Sequence, residues 1–324
     1  MSTVRVTHIV AETDTVKSFR LVRTDGAPLG PHPAGAHIDV TGPTGITRQY
    51  SLCGPPYETD SFLVAVKRET SSRGGSAALH DGVHVGSELR ISEPRDRFGL
   101  VPEAREHVLL GAGIGITPLL GMAHQLHREA GNFRLHYFAT ARERAPFTDL
   151  LERSAFSERV RFHFEVPRTG QQAVLDSILS ALSALSALSA LDSGTHVYTC
   201  GPKEFMQRVT ATATRSLPED RVHVEHFQAP DPSEAPGAAF ELELGTGEVF
   251  TVPADRSIVD VLADHGFDVD TSCREGICGT CVVPVLAGEP DHRDNCLTRK
   301  EKAANDQIAI CVSRTRGRRL VIEL

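Results

Sequence analysis

The chain has 324 residues, 40% of them apolar and 23% charged, and a net charge of −8. That length suffices for two or three domains with separate cores, and an acidic chain without a long basic stretch argues against nucleic acid as a partner. No apolar run approaches the roughly 20 residues that span a bilayer, and the N-terminus Met-Ser-Thr-Val-Arg-Val-Thr-His lacks a signal-peptide core, so a cytoplasmic protein with no membrane partner is expected.

In chain order, residues 4–10, 18–22 and 62–67 alternate apolar and polar side chains between Gly/Pro-rich turns. Short strands at such spacing predict an antiparallel β-barrel or sandwich over residues 1–103. Two motifs stand within it. Arg48-Gln49-Tyr50-Ser51 offers a cationic fork, a flat ring and a hydroxyl, and Arg73-Gly74-Gly75-Ser76 offers a second arginine with exposed backbone N–H groups. Arginine together with a Gly-Gly-Ser turn suits a phosphate, although each tetrapeptide alone also reads as an ordinary strand or turn.

From residue 104 the pattern changes. Apolar runs at 107–111, 134–140, 160–164 and 196–200 alternate with helix-like stretches, which predicts an α/β parallel sheet over residues 104–228. Gly111-Ala112-Gly113-Ile114-Gly115-Ile116-Thr117-Pro118 joins the first of these strands to a helix beginning near Pro118. Its glycines permit close backbone approach, and a helix N-terminus favours a pyrophosphate. Tyr198-Thr199-Cys200-Gly201-Pro202 ends a later strand, where open α/β sheets bind ligands. Leu-Ser-Ala repeats four times from Leu179 to Ala190; a three-residue period drifts around a helix, so a lengthened surface helix or disordered insertion is expected.

Three prolines within residues 229–237 mark a linker. Beyond it, residues 240–244 and 248–252 read as a hairpin around Gly245-Thr246-Gly247, and residues 257–266 as a short helix with Ser257 as N-cap and Gly266 as stop. Cys273, Cys278 and Cys281 follow, and Cys311 comes later, in the C-x4-C-x2-C…C spacing of a plant-type [2Fe–2S] centre. A tight loop supplies three thiolates and a distant strand the fourth, with small residues letting N–H groups approach sulfur. A zinc site usually pairs two C-x2-C knuckles, and a disulfide framework suits a short secreted chain. Cys296 is the competing fourth ligand; its flanks predict an exposed polar loop.

These elements, in this order, resemble the phthalate dioxygenase reductase family, to which vanillate O-demethylase reductases belong, and the resemblance covers essentially the whole chain. It implies three domains: a ferredoxin–NADP reductase-type FMN barrel (1–103), an NAD domain (104–228) and, after the linker 229–237, a β-grasp-like α+β ferredoxin domain (238–324). Arg48, Tyr50 and Ser51 would contact FMN, with Val66, Lys67 and Arg68 lining it and Gly74, Gly75 and Ser76 holding its phosphate. Gly111, Gly113, Gly115, Thr117 and Pro118 would receive the dinucleotide, and Cys200, Gly201 and Pro202 would flank the nicotinamide. Ser51, Thr117 and Cys200 would stand nearest the reacting atoms, with Phe227 packed by the flavin. Electrons would pass from NADH through FMN and [2Fe–2S] to the terminal oxygenase of a Rieske non-haem iron system acting on an aromatic substrate. NADPH stays open because an arginine in residues 140–144 could meet a 2′-phosphate. The rival readings are a reductase for a cytochrome P450 and a non-catalytic iron–sulfur carrier.

Overall fold

The computed structural model describes residues 1–70, 74–189, 194–228 and 238–324, the side chains of 181–189 excepted. The predicted linker 229–237 and the end of the Leu-Ser-Ala repeat therefore lie outside the described residues. The chain divides into two compact units, Met1–Glu225 and His226–Leu324.

The first unit opens with β1 (Ser2–Ala11), β2 (Val16–Arg23), β3 (His37–Thr41), β4 (Thr47–Ser51), β5 (Phe62–Lys67), α1 (Gly75–Gly82) and β6 (Glu88–Ile91). The strands form one antiparallel sheet in the order β4-β3-β6-β1-β2-β5. A bridge between Leu52 and Val64, with the Cys53 N–H donating to the Leu63 carbonyl at 2.9 Å, joins the two edges. Closing the sheet removes exposed strand edges, and Val4, Val6, Leu21, Ile38 and Leu52 fill the interior.

A parallel sheet follows, in the order β11-β10-β7-β8-β9. It is built from β7 (Glu106–Ala112), α2 (Ile116–Arg128), β8 (Phe133–Ala139), α3 (Thr148–Arg153), β9 (Val160–Phe164), α4 (Arg168–Ser189), β10 (Thr195–Cys200), α5 (Lys203–Ala213) and β11 (Val222–Glu225). The Leu-Ser-Ala stretch continues α4 as far as Ser189. Helix α2 starts at Ile116, two residues before the expected point, because Gly113–Gly115 form a 3₁₀ turn that delivers the chain from β7 already wound. Buried Leu119, Met122 and Ala123 of α2 share one core with Leu109, Leu135 and Tyr198 of the parallel sheet and with Val16, Cys53 and Ala65 of the barrel.

The second unit contains β12 (Phe240–Leu244), β13 (Val249–Val252), α6 (Ile258–Asp264), β14 (Val282–Ala287), β15 (Pro290–Asp291), α7 (Arg299–Ala304), β16 (Gln307–Ala309), β17 (Arg314–Thr315) and β18 (Arg319–Ile322). The hairpin β12–β13 forms as the turn residues predict, and the Ser257 hydroxyl caps α6 by accepting the Asp260 N–H at 3.1 Å. Strand β12 also pairs with the C-terminal β18 in parallel, giving a five-stranded sheet, β13-β12-β18-β14-β16, over a core of Leu242, Leu244, Val261, Leu262, Ile308 and Ile322.

Candidate functional site

At the barrel rim, α1 begins at Gly75 after Gly74, whose φ of +90° is left-handed backbone that glycine adopts freely. The Gly-Gly-Ser segment is thus the start of a helix rather than a free turn. A methyl group on Gly75 would lie 3.2 Å from Cγ of Arg48, so the absence of a side chain lets the arginine stem cross the helix start. The Ser76 hydroxyl accepts the Glu69 N–H at 3.0 Å and pins the exit of β5 to α1. The Arg48 guanidinium, one of whose N–H groups donates to the Thr47 carbonyl at 2.8 Å, and the N–H groups that open α1 are donors suited to one phosphate group.

Val66 is buried, and its carbonyl meets His80 Nε2 at 2.8 Å. Lys67 pairs with Glu69 at 2.7 Å and Arg68 with both oxygens of Asp81, at 2.5 and 2.9 Å, so both charges lie against carboxylates. Tyr50 sits on β4 opposite Ile38, half-buried, and burial pushes its phenol well above the ordinary range.

Ser51, Cys200 and a residue the sequence reading passed over, Glu225, converge. Cys200 ends β10, with Gly111 of β7 on one side and Glu225 of β11 on the other. The Ser51 hydroxyl donates to Glu225 Oε2 at 3.4 Å. Burial raises the Glu225 carboxyl to about 8, with Asp96 adding to the effect and Ser51 opposing it. Burial also pushes the Cys200 thiol well up, Glu225 adding to it, so Cys200 is a neutral, fully buried surface rather than a nucleophile. The signal for Glu225 was the acid at the end of Val222-His223-Val224-Glu225, a strand the apolar-run criterion overlooked.

The glycine turn packs against the end of β10. A methyl on Gly115 would stand 2.2 Å from the Cys200 carbonyl oxygen, and one on Gly201 2.9 Å from Cβ of Ala112. Thr117 is buried, and its hydroxyl donates to the Ile114 carbonyl at 3.0 Å, inside the turn. Pro118 lies in the first turn of α2, where its missing N–H costs nothing, and Pro202 caps α5. Tyr137 Oη lies 3.1 Å from the Gly113 carbonyl and 3.2 Å from that of Pro146, while the Phe147 N–H donates to Glu12 Oε2 at 3.2 Å, which ties the barrel to the turn. Arg142 is held by Asp149 at 3.1 Å and by Glu152. Phe227 is 39% exposed and falls in the second unit.

In that unit Cys273, Cys278, Cys281 and Cys311 are all buried. Left-handed backbone at Arg274, Gly276 and Gly279 folds the loop back, so that the Glu275 and Cys278 N–H groups point at the Cys273 sulfur at 3.3 and 3.5 Å. Cys311 lies in the turn after β16 and not in a strand; the Ile310 N–H donates to the Cys281 carbonyl at 3.2 Å and brings it alongside the loop. The Cys278 thiol donates to the Thr280 hydroxyl oxygen at 3.2 Å. Cys273 is lowered by its bonds to Cys278 and Cys311, and Cys281 by its bond to Cys311, while Cys278 and Cys311 are pushed up in return. Four buried thiols, three from one loop and one from the turn after β16, are the kind and number of donors that a [2Fe–2S] centre takes.

Cys296 is a correction. Its flanks are not an exposed loop: Asp294 and Leu297 are buried, Cys296 is half-buried, and its thiol lies 3.5 Å from Asp294 Oδ2.

A family model for the oxidoreductase NAD-binding domain matches residues 109–211, and one for the 2Fe-2S iron-sulfur cluster binding domain matches 242–316. With the barrel, they define the class: an NADH-dependent flavin and iron–sulfur oxidoreductase. Vanillate O-demethylase oxidoreductase of Pseudomonas putida is 43% identical over 97% of this chain and 96% of its own. The solved structure of phthalate dioxygenase reductase, a modular structure for electron transfer from pyridine nucleotides to [2Fe-2S], shares 34% identity over 99% of this chain and 97% of that one, with a TM-score of 0.71. An intact type IV self-sufficient cytochrome P450 monooxygenase matches all of this chain with 41% of its own length, at 37% identity and a TM-score of 0.84. The chain belongs to the family of phthalate dioxygenase reductase and vanillate O-demethylase oxidoreductase. It is a reductase that carries electrons from NADH by way of FMN to a [2Fe–2S] cluster. No helix among the described residues is long and apolar enough to cross a membrane.

Proposed function

We propose that this chain is the reductase component of a Rieske-type non-haem iron oxygenase or O-demethylase acting on an aromatic substrate, working in the cytoplasm. Its 43% identity to a vanillate O-demethylase oxidoreductase, over nearly the full length of both chains, carries the reading. The domain limits of 1–103, 104–228 and 238–324, with a linker at 229–237, belong to the same proposal.

Bound FMN accepts an electron pair as hydride and releases electrons singly, which suits a one-electron iron–sulfur carrier. Arg48 and the start of α1 would hold the flavin phosphate, with Tyr50 and Val66 lining the flavin site. Gly111, Gly113, Gly115 and Pro118 receive the pyrophosphate. Gly201 would face the nicotinamide with uncharged, buried Cys200 behind it, and Ser51 with neutral Glu225 would keep the reacting edge free of negative charge. Arg142 of the segment 140–144 is paired with Asp149 and Glu152. Cys273, Cys278, Cys281 and Cys311 hold the cluster.

Anaerobic titration with NADH should bleach both flavin and cluster absorbance in the purified protein. Cys273→Ser or Cys311→Ser should abolish delivery to a Rieske oxygenase while NADH still bleaches the flavin. Loss of both in a folded variant refutes this division of roles. The match to a self-sufficient P450 supports a second acceptor; turnover with a P450 haem domain but not with a Rieske oxygenase would select it.

A further inference from the structure

Asp294 is 2% exposed and is the most buried carboxylate among the described residues of the second unit. Its Oδ2 accepts the Leu297 N–H at 2.8 Å, and its Oδ1 accepts the Ser313 hydroxyl at 3.3 Å. The Ser313 oxygen in turn accepts the Arg293 N–H at 3.0 Å. Lys302 Nζ reaches the Asp294 carbonyl and stands 3.7 Å from Oδ2, and His292 Nδ1 stands 3.7 Å from Oδ1. A buried charge is retained only when paired and hydrogen-bonded, and here the pairing joins α7, the turn 292–297 and the segment after Cys311.

The same turn also touches the three-cysteine loop. The Asn295 N–H donates to the Gly276 carbonyl at 2.7 Å, and a methyl on Gly276 would lie 3.1 Å from Cα of Asp294. Ser313, 1% exposed, stands two residues beyond Cys311, and its own N–H donates to the Ala309 carbonyl at 3.0 Å, closing the turn that carries that cysteine.

We propose that Asp294, acting through Ser313 on one side and the Gly276 backbone on the other, is the positioning residue that sets Cys311 against the loop bearing Cys273, Cys278 and Cys281, and so governs retention of the cluster. The proposal rests on those four cysteines being the ligands. Groups that hydrogen-bond around metal ligands commonly change affinity by 10- to 100-fold when removed, and the turn of Asp294 touches both segments that carry the four cysteines.

The test uses the full-length holoprotein and its Asp294→Ala, Asp294→Asn and Ser313→Ala variants. Iron release to a chelator is followed with time, the electron paramagnetic resonance spectrum of the reduced cluster is recorded, and circular dichroism monitors the fold. Asp294→Ala and Ser313→Ala should release iron about 10-fold faster or more, with altered g-values. Asp294→Asn should return within a few-fold of wild type, since its amide still accepts from Leu297 and can donate to the Ser313 oxygen. Should Asp294→Ala fail to fold, Ser313→Ala, which removes one hydroxyl, decides. Wild-type iron release and an unaltered spectrum in folded Ser313→Ala overturn the proposal, even if its melting temperature falls. NADH-driven bleaching of the flavin separates this failure from failure of the ligand assignment, which Cys311→Ser tests directly.

Discussion

Glu225 joins the barrel and the parallel sheet through one hydrogen bond from Ser51 and one strand register beside Cys200. Its carboxyl, raised from 4.5 to about 8 chiefly by burial, is neutral in the folded protein at pH 7 and ionised in the unfolded chain. A raised folded value contributes stability that is complete below about 4.5 and is lost as pH climbs through 8. Glu225→Gln should therefore flatten the fall of Tm between pH 5 and 8, read by thermal melts across that range. Hydride transfer places negative charge on the flavin, so the rate of flavin reduction should fall above pH 8 as Glu225 ionises; stopped-flow traces of the Gln variant should lack that inflection. An unchanged inflection in Glu225→Gln assigns it to another group. Ser51 was legible in the sequence through the Arg48-Gln49-Tyr50-Ser51 motif, and Cys200 through the apolar run that it ends. Glu225 was not, because only the pairing of β11 with β10 brings it to them.

The strand–turn–helix of β7 and α2 shows why identical residues carry unequal constraints. Gly113 has φ +56° but open space around it, whereas Gly115 faces the Cys200 carbonyl at a distance no side chain can occupy. Gly113→Ala should cost about 1 kcal/mol, the price of left-handed backbone alone. Gly115→Ala should cost about 2–3 kcal/mol through overpacking and weaken NADH binding by displacing Cys200. Urea denaturation and NADH titration measure the two effects, and equal costs at both positions would contradict this account. The motif, its strand and its helix were readable from glycine spacing and apolar runs. The 3₁₀ turn that starts α2 at Ile116 was not, since it depends on the packing of Gly115 against β10.

Across the molecule, the two units have separate cores, and the second includes the proposed ligands Cys281 and Cys311 among its buried residues. Metal binding by buried thiols is coupled to folding, so cluster binding should stabilise that unit. Calorimetry should resolve two transitions, and chelation of iron should lower only the one belonging to His226–Leu324 while the NADH-reducible flavin stays bound. A single transition that shifts as a whole on iron removal would exclude independent cores.

The sequence by itself determined the order of the modules, the cysteine spacing, the strand and helix periods and the glycine turns, all of which are local signals repeated over a few residues. Tertiary structure alone decided that Glu225 joins Ser51 and Cys200, that Arg48 crosses the bare surface of Gly75, and that a loop expected to be exposed buries Asp294 between the cysteine segments. Each is a contact between residues distant along the chain. Such contacts are set by strand register and by the volume left at a glycine, neither of which leaves a periodic mark on the sequence.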